Sequence, residues 1–477
     1  MTPETARPTA RLPLVIYVLA AGVFLMSTTE LVMAGMLPGI AESFGIGVGE
    51  ASLGITVFAI GMIVGSPLMA ILTLRLPRRL ALALALLLFS FGHVLAATAP
   101  AFGVLLAARF VTAFATGAFW AVTAIVVVKA AGRAAPRALG VVLGGGMLAN
   151  VVGVPLGAFA AQAVGWRVPF WVLAVVALAG AVVMYRRVPV DPPAAHVPSV
   201  RAEFRSLKDV RVWLVYASAA IVCGSCLAAY SFISPLLTES TGLPASAVPL
   251  VLMVYGVGSL VGANLGGHLG AHRPYAVMFV AAIMMFLVLV ALALFSHTAA
   301  VAVPLLGLLG LFGTATNPLL IGKAVHYANH ATLAAALSTS SFNVGIAVGT
   351  SLAGFALGTG LGTTGPVVVG AAIAALYVVP LTILRRKDRA EAARQGVAAD
   401  TVVVSTMTGA LVVPTTTTAI PVAPMTTAIA VPAMTSAIPA PPLTSAIGLP
   451  DPTDTIVAAT MTGAIALPHL ADLPADR

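Results

Sequence analysis

Residues 12–37 read LPLVIYVLAAGVFLMSTTELVMAGML, a run of 26 residues whose one ionisable acid is Glu30. A helix of about 20 apolar residues spans a bilayer, and backbone groups in lipid must be paired within the segment, so this run predicts a transmembrane helix. A carboxylate at the bilayer centre costs at least ~2.5 kcal/mol. Glu30 is therefore the first candidate for an ion-coupling residue.

The same kind of apolar run recurs to about residue 384. Hydrophobic residues make up 60% of the chain and charged residues 8%, whereas a soluble domain has roughly 25% charged residues. This composition excludes a soluble enzyme. The chain is predicted to be an all-α membrane protein with twelve spans, at about 12–37, 50–74, 80–98, 102–128, 138–162, 167–188, 212–237, 246–269, 275–296, 300–324, 333–358 and 366–384.

The basic charge reports orientation in the membrane. The formal net charge is +9, but with a cytoplasmic N-terminus 21 of the 24 lysines and arginines fall in cytoplasmic segments or at their borders, all except Arg109, Arg167 and Arg477. That bias follows the positive-inside rule and predicts cytoplasmic N- and C-termini. We therefore expect the lipid bilayer, and no nucleic acid, as a partner of these charges.

Two internal matches indicate a duplicated unit of six helices. The segment from Gly65 to Arg75 resembles the segment from Gly262 to His272, and Val152–Leu156 resembles Val348–Leu352, at nearly the same offset. Such parallel repeats are typical of transporters whose substrate site lies between the halves. The predicted organisation is 1–11 N-terminus, 12–188 first bundle, 189–211 cytoplasmic linker, 212–384 second bundle and 385–477 cytoplasmic tail.

The tail has a nine-residue repeat, seen in Met407-Thr-Gly-Ala-Leu, Met425-Thr-Thr-Ala-Ile and Met461-Thr-Gly-Ala-Ile. Prolines interrupt it and aromatic residues are absent, so a disordered low-complexity tail is predicted. A β-like or partner-bound array stays as the alternative. A scaffold that uses the membrane fold only to display the tail is a further alternative. Deletion of residues 395–477 distinguishes a transporter from a scaffold, since transport should survive the deletion and scaffolding should not.

Glu30 and Arg109 are opposite charges at similar predicted depths. Glu30 lies roughly 10 Å and Arg109 roughly 12 Å below the outer edge, on the first and fourth spans. An ion pair, direct or through water, would lower the cost of burying both charges. A transport cycle that moves Arg109 relative to Glu30 would then bind and release a proton. The alternative is a fixed structural ion pair.

Other residues indicate a substrate cavity and a flexible helix. Aromatic surface with few polar groups suits an amphipathic ligand, although the same residues could fill a helix interface; the candidates are Phe114, Trp120, Tyr230, Ser234 and Asn317. The fifth span holds small residues that permit close packing and a proline that permits a bend. Its predicted switch residues are Gly144, Gly153, Pro155 and Gly157, with ordinary packing as the alternative. Cys223 and Cys226 are interpreted as packing residues, and no metal or cofactor is expected.

These motifs resemble the major facilitator superfamily, and within it the twelve-helix drug:proton antiporters of the chloramphenicol-exporter type. The resemblance rests on Asn150 with Gly153-Val-Pro155-Leu-Gly157, on Arg109 with Gly117, on Thr29-Glu30, and on the cytoplasmic loop with Arg75, Arg78 and Arg79. This loop departs from the superfamily pattern, having Leu74 and Pro77 in place of Asp and Gly.

The resemblance implies a proton-coupled exporter of chloramphenicol or a related amphipathic drug in a bacterial inner membrane. The chain is expected to act as a monomer. The resemblance also implies that the arginine of the fourth helix takes part in proton coupling and that the fifth-helix motif serves conformational switching. A sugar or metabolite exporter of the same fold is the alternative.

Overall fold

The computed structural model describes residues 12–72, 76–188, 206–328 and 332–408. In these ranges the chain is helical and contains no strand. Twelve helical spans there are long and apolar enough to cross a membrane, which confirms the predicted fold class. They are labelled α1 to α12: Leu14–Gly35, Val48–Met69, Arg78–Ala97, Phe102–Ala131, Arg137–Val164, Arg167–Arg187, Val210–Tyr230, Ala245–His272, Pro274–Phe295, Ala299–Tyr327, Ala336–Leu357 and Gly362–Arg394.

Three of the predicted segments fall wholly or largely outside the described residues. These are the N-terminus 1–11, most of the linker (189–205) and the tail from residue 409, with nearly all of its repeats. The last span extends further than predicted, because its second helix runs over Val378–Thr408. By internal contacts the chain divides into Met1–Ala392, which holds both sets of six spans, and Ala393–Arg477.

The two sets of six helices meet along α2 and α11 and along α5 and α8. Thr56 of α2 and Thr350 of α11 share a hydrogen bond of 2.9 Å between their hydroxyls. At Gly256 of α8, a Cβ atom would lie 2.2 Å from the carbonyl oxygen of Asn150 in α5. Only glycine permits so close an approach of two backbones. The halves therefore contact each other through small residues as well as polar ones.

Glycines also set the packing inside the second half. A Cβ atom at Gly258, Gly262 or Gly266 of α8 would lie about 2 Å from a backbone carbonyl oxygen of α10, on Gly307, Leu311 and Ala315 respectively. The four-residue spacing places these glycines on one face of α8, so that α8 lies directly against α10. α8 contacts its hairpin partner, α9, much less extensively.

Candidate functional site

Arg109 of α4 is completely buried at the centre of the first half. Its Nη1 donates to the carbonyl oxygen of Thr29 at 3.1 Å and to the Thr29 hydroxyl at 3.0 Å, and its Nε donates to the Gly54 carbonyl at 3.3 Å. The guanidinium carbon lies 4.2 Å from the centre of the Phe58 ring, in cation–π geometry. Nη2 has no hydrogen-bond partner among the described residues. The cation is thus held by carbonyls, a hydroxyl and a ring, and the two N–H groups of Nη2 are left over.

Thr29 connects Arg109 to His93 of α3. The Thr29 Oγ1 lies 2.8 Å from Nε2 of His93, and Nδ1 of His93 lies 2.8 Å from the carbonyl oxygen of Phe89. Because a carbonyl can only accept, Nδ1 carries a proton, and in a neutral imidazole Nε2 must then accept. Thr29 therefore accepts from Arg109 and donates to His93. All three side chains are buried, so this chain holds Arg109 in one orientation.

Glu30 lies directly after Thr29, in the last turn of the helix Leu14–Leu31 and before the 3-10 turn Val32–Gly35. It is partly exposed, and within the described part of the chain no hydrogen bond or salt bridge reaches its carboxylate. Arg109 is close enough to interact with it electrostatically. The structure thus brings the two predicted charges together without the direct form of the expected ion pair, since Arg109 binds Thr29 instead.

Sequence reasoning did not identify Thr29 as the partner of Arg109. The position of His93 in the third apolar span is compatible with a proton relay or with a hydrogen-bonded packing histidine. The available signal was a hydroxyl beside Glu30, the one acid of the first apolar run, together with a histidine in the middle of the third run. Neither residue type shows by itself which helix it faces.

The five candidate cavity residues are divided between the halves, with Phe114 and Trp120 in the first and the other three in the second. Tyr230 is buried, with its ring centre 4.2 Å from that of Tyr255, and Ser234 is also buried. Phe114 and Trp120 are partly buried, and the Cα of Phe114 packs against Gly65 of α2. Asn317 begins the helix Asn317–Tyr327, and its Oδ1 is buried without a hydrogen-bond partner among the described residues. A cavity-lining role for these residues stays a prediction.

The motif of the fifth span forms a local break in α5. A π-helical turn, Ala149–Gly153, separates two α-helical pieces, and Pro155 follows it. Proline cannot donate to the carbonyl four residues earlier, which favours a wider turn at this point.

The glycines of this motif face the first half rather than the second. A Cβ atom at Gly153 would lie 2.3 Å from the Thr28 hydroxyl, and one at Gly157 would lie 2.4 Å from Val32. Both neighbours belong to α1, the helix that carries Glu30. Gly144 has open space where a Cβ would be. It is the backbone at Asn150, between these glycines, that reaches the other half at Gly256.

The predicted basic loop follows α2. Arg75 lies outside the described residues. Arg78 begins α3 and is partly buried, and the Arg79 guanidinium lies 4.4 Å from the centre of the Tyr185 ring in α6. Arg79 therefore joins two helices of the first half, and a switching role for the loop stays a prediction.

A second polar cluster, not predicted from the sequence, ties helix ends of the second half together. One carboxylate oxygen of Asp388 accepts from Lys323 at 3.0 Å, from Tyr275 at 2.5 Å, and from Tyr327. The other oxygen lies 3.9 Å from Arg211 of α7. The cluster joins α7, α9, α10 and the last helix. The signal was one acid in an otherwise basic stretch, 385–389.

Most of the chain is similar to known proteins. Residues 19–350 match the model of the Major Facilitator Superfamily. A chloramphenicol resistance protein of Streptomyces lividans is 34% identical over 394 residues, covering 80% of this chain and 100% of that protein. A probable sugar efflux transporter of Helicobacter pylori strain 26695 is 30% identical, covering 70% of this chain and 86% of that protein. The crystal structure of a bacterial homologue of the human lysosomal transporter Spinster matches with a TM-score of 0.59 at 15% sequence identity. The match covers 78% of this chain and 95% of that one.

Proposed function

Since this chain belongs to the Major Facilitator Superfamily and is a multi-pass membrane transporter, we propose that it exports an amphipathic drug in exchange for protons. Chloramphenicol or a related phenicol is the proposed substrate, and alternating access of the two halves is the proposed mechanism. The substrate class is supported by the similarity to a chloramphenicol resistance protein along that protein's whole length. The chain works without a cofactor, as a monomer, in the bacterial cytoplasmic membrane with both termini in the cytoplasm.

The observation that carries the coupling proposal is the buried Arg109 beside an unpaired Glu30. A protonated Glu30 is neutral and needs no ionic partner, which fits a carboxyl without a salt bridge. When it loses its proton, the anion is attracted to the free Nη2 of Arg109. Two unit charges 4 Å apart attract each other by about 4 kcal/mol at an effective dielectric constant near 20. Deprotonation therefore changes the preferred position of α1 relative to α4.

Thr29 and His93 act as positioning residues in this proposal. While Thr29 holds Nη1, Arg109 is kept beside Glu30 with Nη2 available. The π-helical turn of α5 lies against the same part of α1, where Gly153 meets Thr28. A shift of α1 caused by the charge on Glu30 is thereby passed to α5, whose backbone touches the second half at Gly256. This is the proposed route from proton to rocking motion.

A sugar exporter is the second candidate, favoured by the similarity to a probable sugar efflux transporter. A sugar site needs several convergent hydrogen-bonding groups, because each buried hydroxyl must be paired. Of the candidate cavity residues only Ser234 and Asn317 supply a short polar side chain. Competition separates the candidates, since excess sugar should leave drug accumulation unchanged if the drug is the substrate.

The test is steady-state accumulation of labelled chloramphenicol in sensitive cells that express the wild type, Glu30→Gln or Glu42→Gln, with and without a protonophore. Glu42→Gln is the matched control, because Glu42 is exposed in the helix Leu37–Phe44 beyond the end of α1. We expect low accumulation with the wild type and Glu42→Gln. Glu30→Gln and the protonophore should each restore accumulation to the level of cells without the transporter.

Two outcomes contradict the proposal in different ways. If correctly inserted wild type leaves accumulation unchanged, chloramphenicol is not the substrate. If Glu30→Gln exports as well as the wild type under a proton gradient, Glu30 does not couple transport and serves only structure.

A further inference from the structure

A groove lies on the second half, in the wedge between α8 and α9. These helices are joined by Arg273 alone, since α8 ends at His272 and α9 begins at Pro274. α8 packs closely against α10 and contacts α9 much less, so a space remains between the two arms of the hairpin. The space between them has a volume of about 580 Å³, and Leu311, Phe312 and Ala315 of α10 contribute to its lining.

The groove has an apolar body and a basic end. Its walls include Leu265 and Leu269 of α8 and Val280 of α9, all exposed at the surface of the bundle. Two histidines and one arginine line it, His268, His272 and Arg273, and all three lie at the end where the hairpin turns. Among the residues that the structure describes, no carboxylate lines the groove. A molecule that fits must therefore be apolar along most of its length and anionic at one end.

Arg273 is free to bind such an end. Its side chain is exposed, and in the described part of the chain it makes no hydrogen bond or salt bridge. The imidazoles of His268 and His272 lie beside each other, with ring centres 6.4 Å apart. One fixed cation and two possible N–H donors thus converge at one end of an apolar groove. The topology proposed above places that end at the cytoplasmic surface of the membrane.

We propose that this groove binds an anionic phospholipid of the cytoplasmic leaflet. One acyl chain lies between α8 and α9 on the floor of α10, and the headgroup phosphate is held by Arg273 with His268 and His272. Basic pockets between transmembrane helices on the cytoplasmic side are a recognised way of binding anionic headgroups. A neutral drug carries no negative charge to pair with the Arg273 guanidinium, so charge complementarity favours the lipid.

The bound lipid keeps the two arms of the hairpin apart. If the groove were left empty in the membrane, α9 would have to close on α8 or leave a void, and lost contacts in a void are destabilising. The inference rests on the proposed topology and is independent of which drug is exported. The leaflet itself is tested by reacting an Ala271→Cys variant with a membrane-impermeant maleimide, which should label inverted vesicles and not intact cells.

The binding test uses the purified full chain in detergent and native mass spectrometry, with phosphatidylglycerol and phosphatidylcholine as probes. The variants are Arg273→Gln, Arg273→Lys, Ala276→Trp and Arg187→Gln. Ala276 is exposed and lines the groove, so a tryptophan fills it without changing the charge. Arg187→Gln is the matched control, an exposed arginine in the last turn of α6.

We expect the wild type to retain one phosphatidylglycerol in preference to phosphatidylcholine. Loss of one basic side chain near the surface is worth about fivefold in affinity, so Arg273→Gln should bind about five times more weakly and Arg273→Lys should restore binding. Ala276→Trp should lose the bound lipid, and Arg187→Gln should match the wild type.

Three results would overturn the proposal. Equal weakening by Arg273→Gln and Arg187→Gln would indicate diffuse surface charge. Unchanged retention in Ala276→Trp would place the lipid elsewhere. Displacement of the lipid by chloramphenicol at its transport concentration would make the groove a drug site. If Ala276→Trp fails to fold, the comparison of the three arginine variants still decides between a headgroup site and diffuse charge.

Discussion

Replacement of Thr29 by valine tests whether the buried chain from Arg109 to His93 is an energetic unit. Valine has nearly the shape of threonine, so the packing around α1 is kept while the hydroxyl is removed. The change deletes the 3.0 Å bond from Arg109 and the 2.8 Å bond to His93. Arg109 keeps the Thr29 carbonyl and the Gly54 carbonyl, so the guanidinium should stay in place, less tightly held.

The size of the effect follows from these two bonds. A hydrogen bond to a charged group contributes about 1.5–3 kcal/mol, and a buried acceptor left without a donor costs about 1–3 kcal/mol. Both groups are fully buried, so solvent cannot replace the lost partner. Thr29→Val should therefore lower the free energy of unfolding by about 2.5–6 kcal/mol. Thr29→Ser keeps the hydroxyl and should lose much less.

The assay is unfolding of the purified protein in mixed micelles by titration with denaturing detergent, followed by circular dichroism. A double-mutant cycle of Thr29→Val with His93→Leu isolates the bond between the two residues. Contacting residues typically couple by about 0.5–3 kcal/mol. A Thr29→Val protein as stable as the wild type, together with a coupling energy near zero, would refute the hydrogen-bond chain.

Two further predictions concern the interface between halves and the start of α7. Gly256→Ala would place a Cβ 2.2 Å from the Asn150 carbonyl oxygen, so we expect a loss of about 1–3 kcal/mol in the free energy of unfolding and reduced drug export. Gly267→Ala is the control, because the nearest atom to its Cβ would be 4.0 Å away. It should behave as wild type in the same unfolding and accumulation assays. At Asp209, burial raises the pKa, but hydrogen bonds from the Arg211 side chain and backbone outweigh it and hold the pKa of this carboxyl below its ordinary value. Its contribution to stability is therefore complete above the ordinary aspartate range near 3.9 and is lost as the pH falls through the lowered value. Melting temperatures measured from pH 6 down to pH 3 should fall less in Asp209→Asn than in the wild type, and identical slopes would contradict this assignment.

The candidate site shows how far single residues can be interpreted. Glu30 and Arg109 were found from the sequence because a charge in an apolar span is costly and therefore conspicuous. Their similar depths followed from the rise per residue of a helix. The depth of a residue in the membrane does not determine, however, in which direction around the helix axis its side chain points. Arg109 reaches Thr29 rather than Glu30 because of how α1 and α4 are rotated about their axes.

The fifth helix gives the same lesson. Its glycines and proline predicted close packing and a bend, and the π-helical turn Ala149–Gly153 lies beside Pro155. A bendable, closely packed helix is expected at the interface between the halves, whereas Gly153 and Gly157 face α1 of their own half. Small residues indicate that something approaches closely; the sequence does not say which helix approaches.

The amino-acid sequence by itself determined the number of spans, their approximate ends and the fold class. It could do so because the bilayer imposes a similar length on every span and requires the backbone hydrogen bonds to form within each helix. Each span can therefore be identified from its own residues. The tertiary structure decided which faces meet. In this chain both the lipid-facing and the buried faces of a helix are apolar, so hydrophobic periodicity carries little information about rotation. The chain from Arg109 through Thr29 to His93, the Asp388 cluster and the groove between α8 and α9 all depend on that rotation, and only the packed helices reveal them.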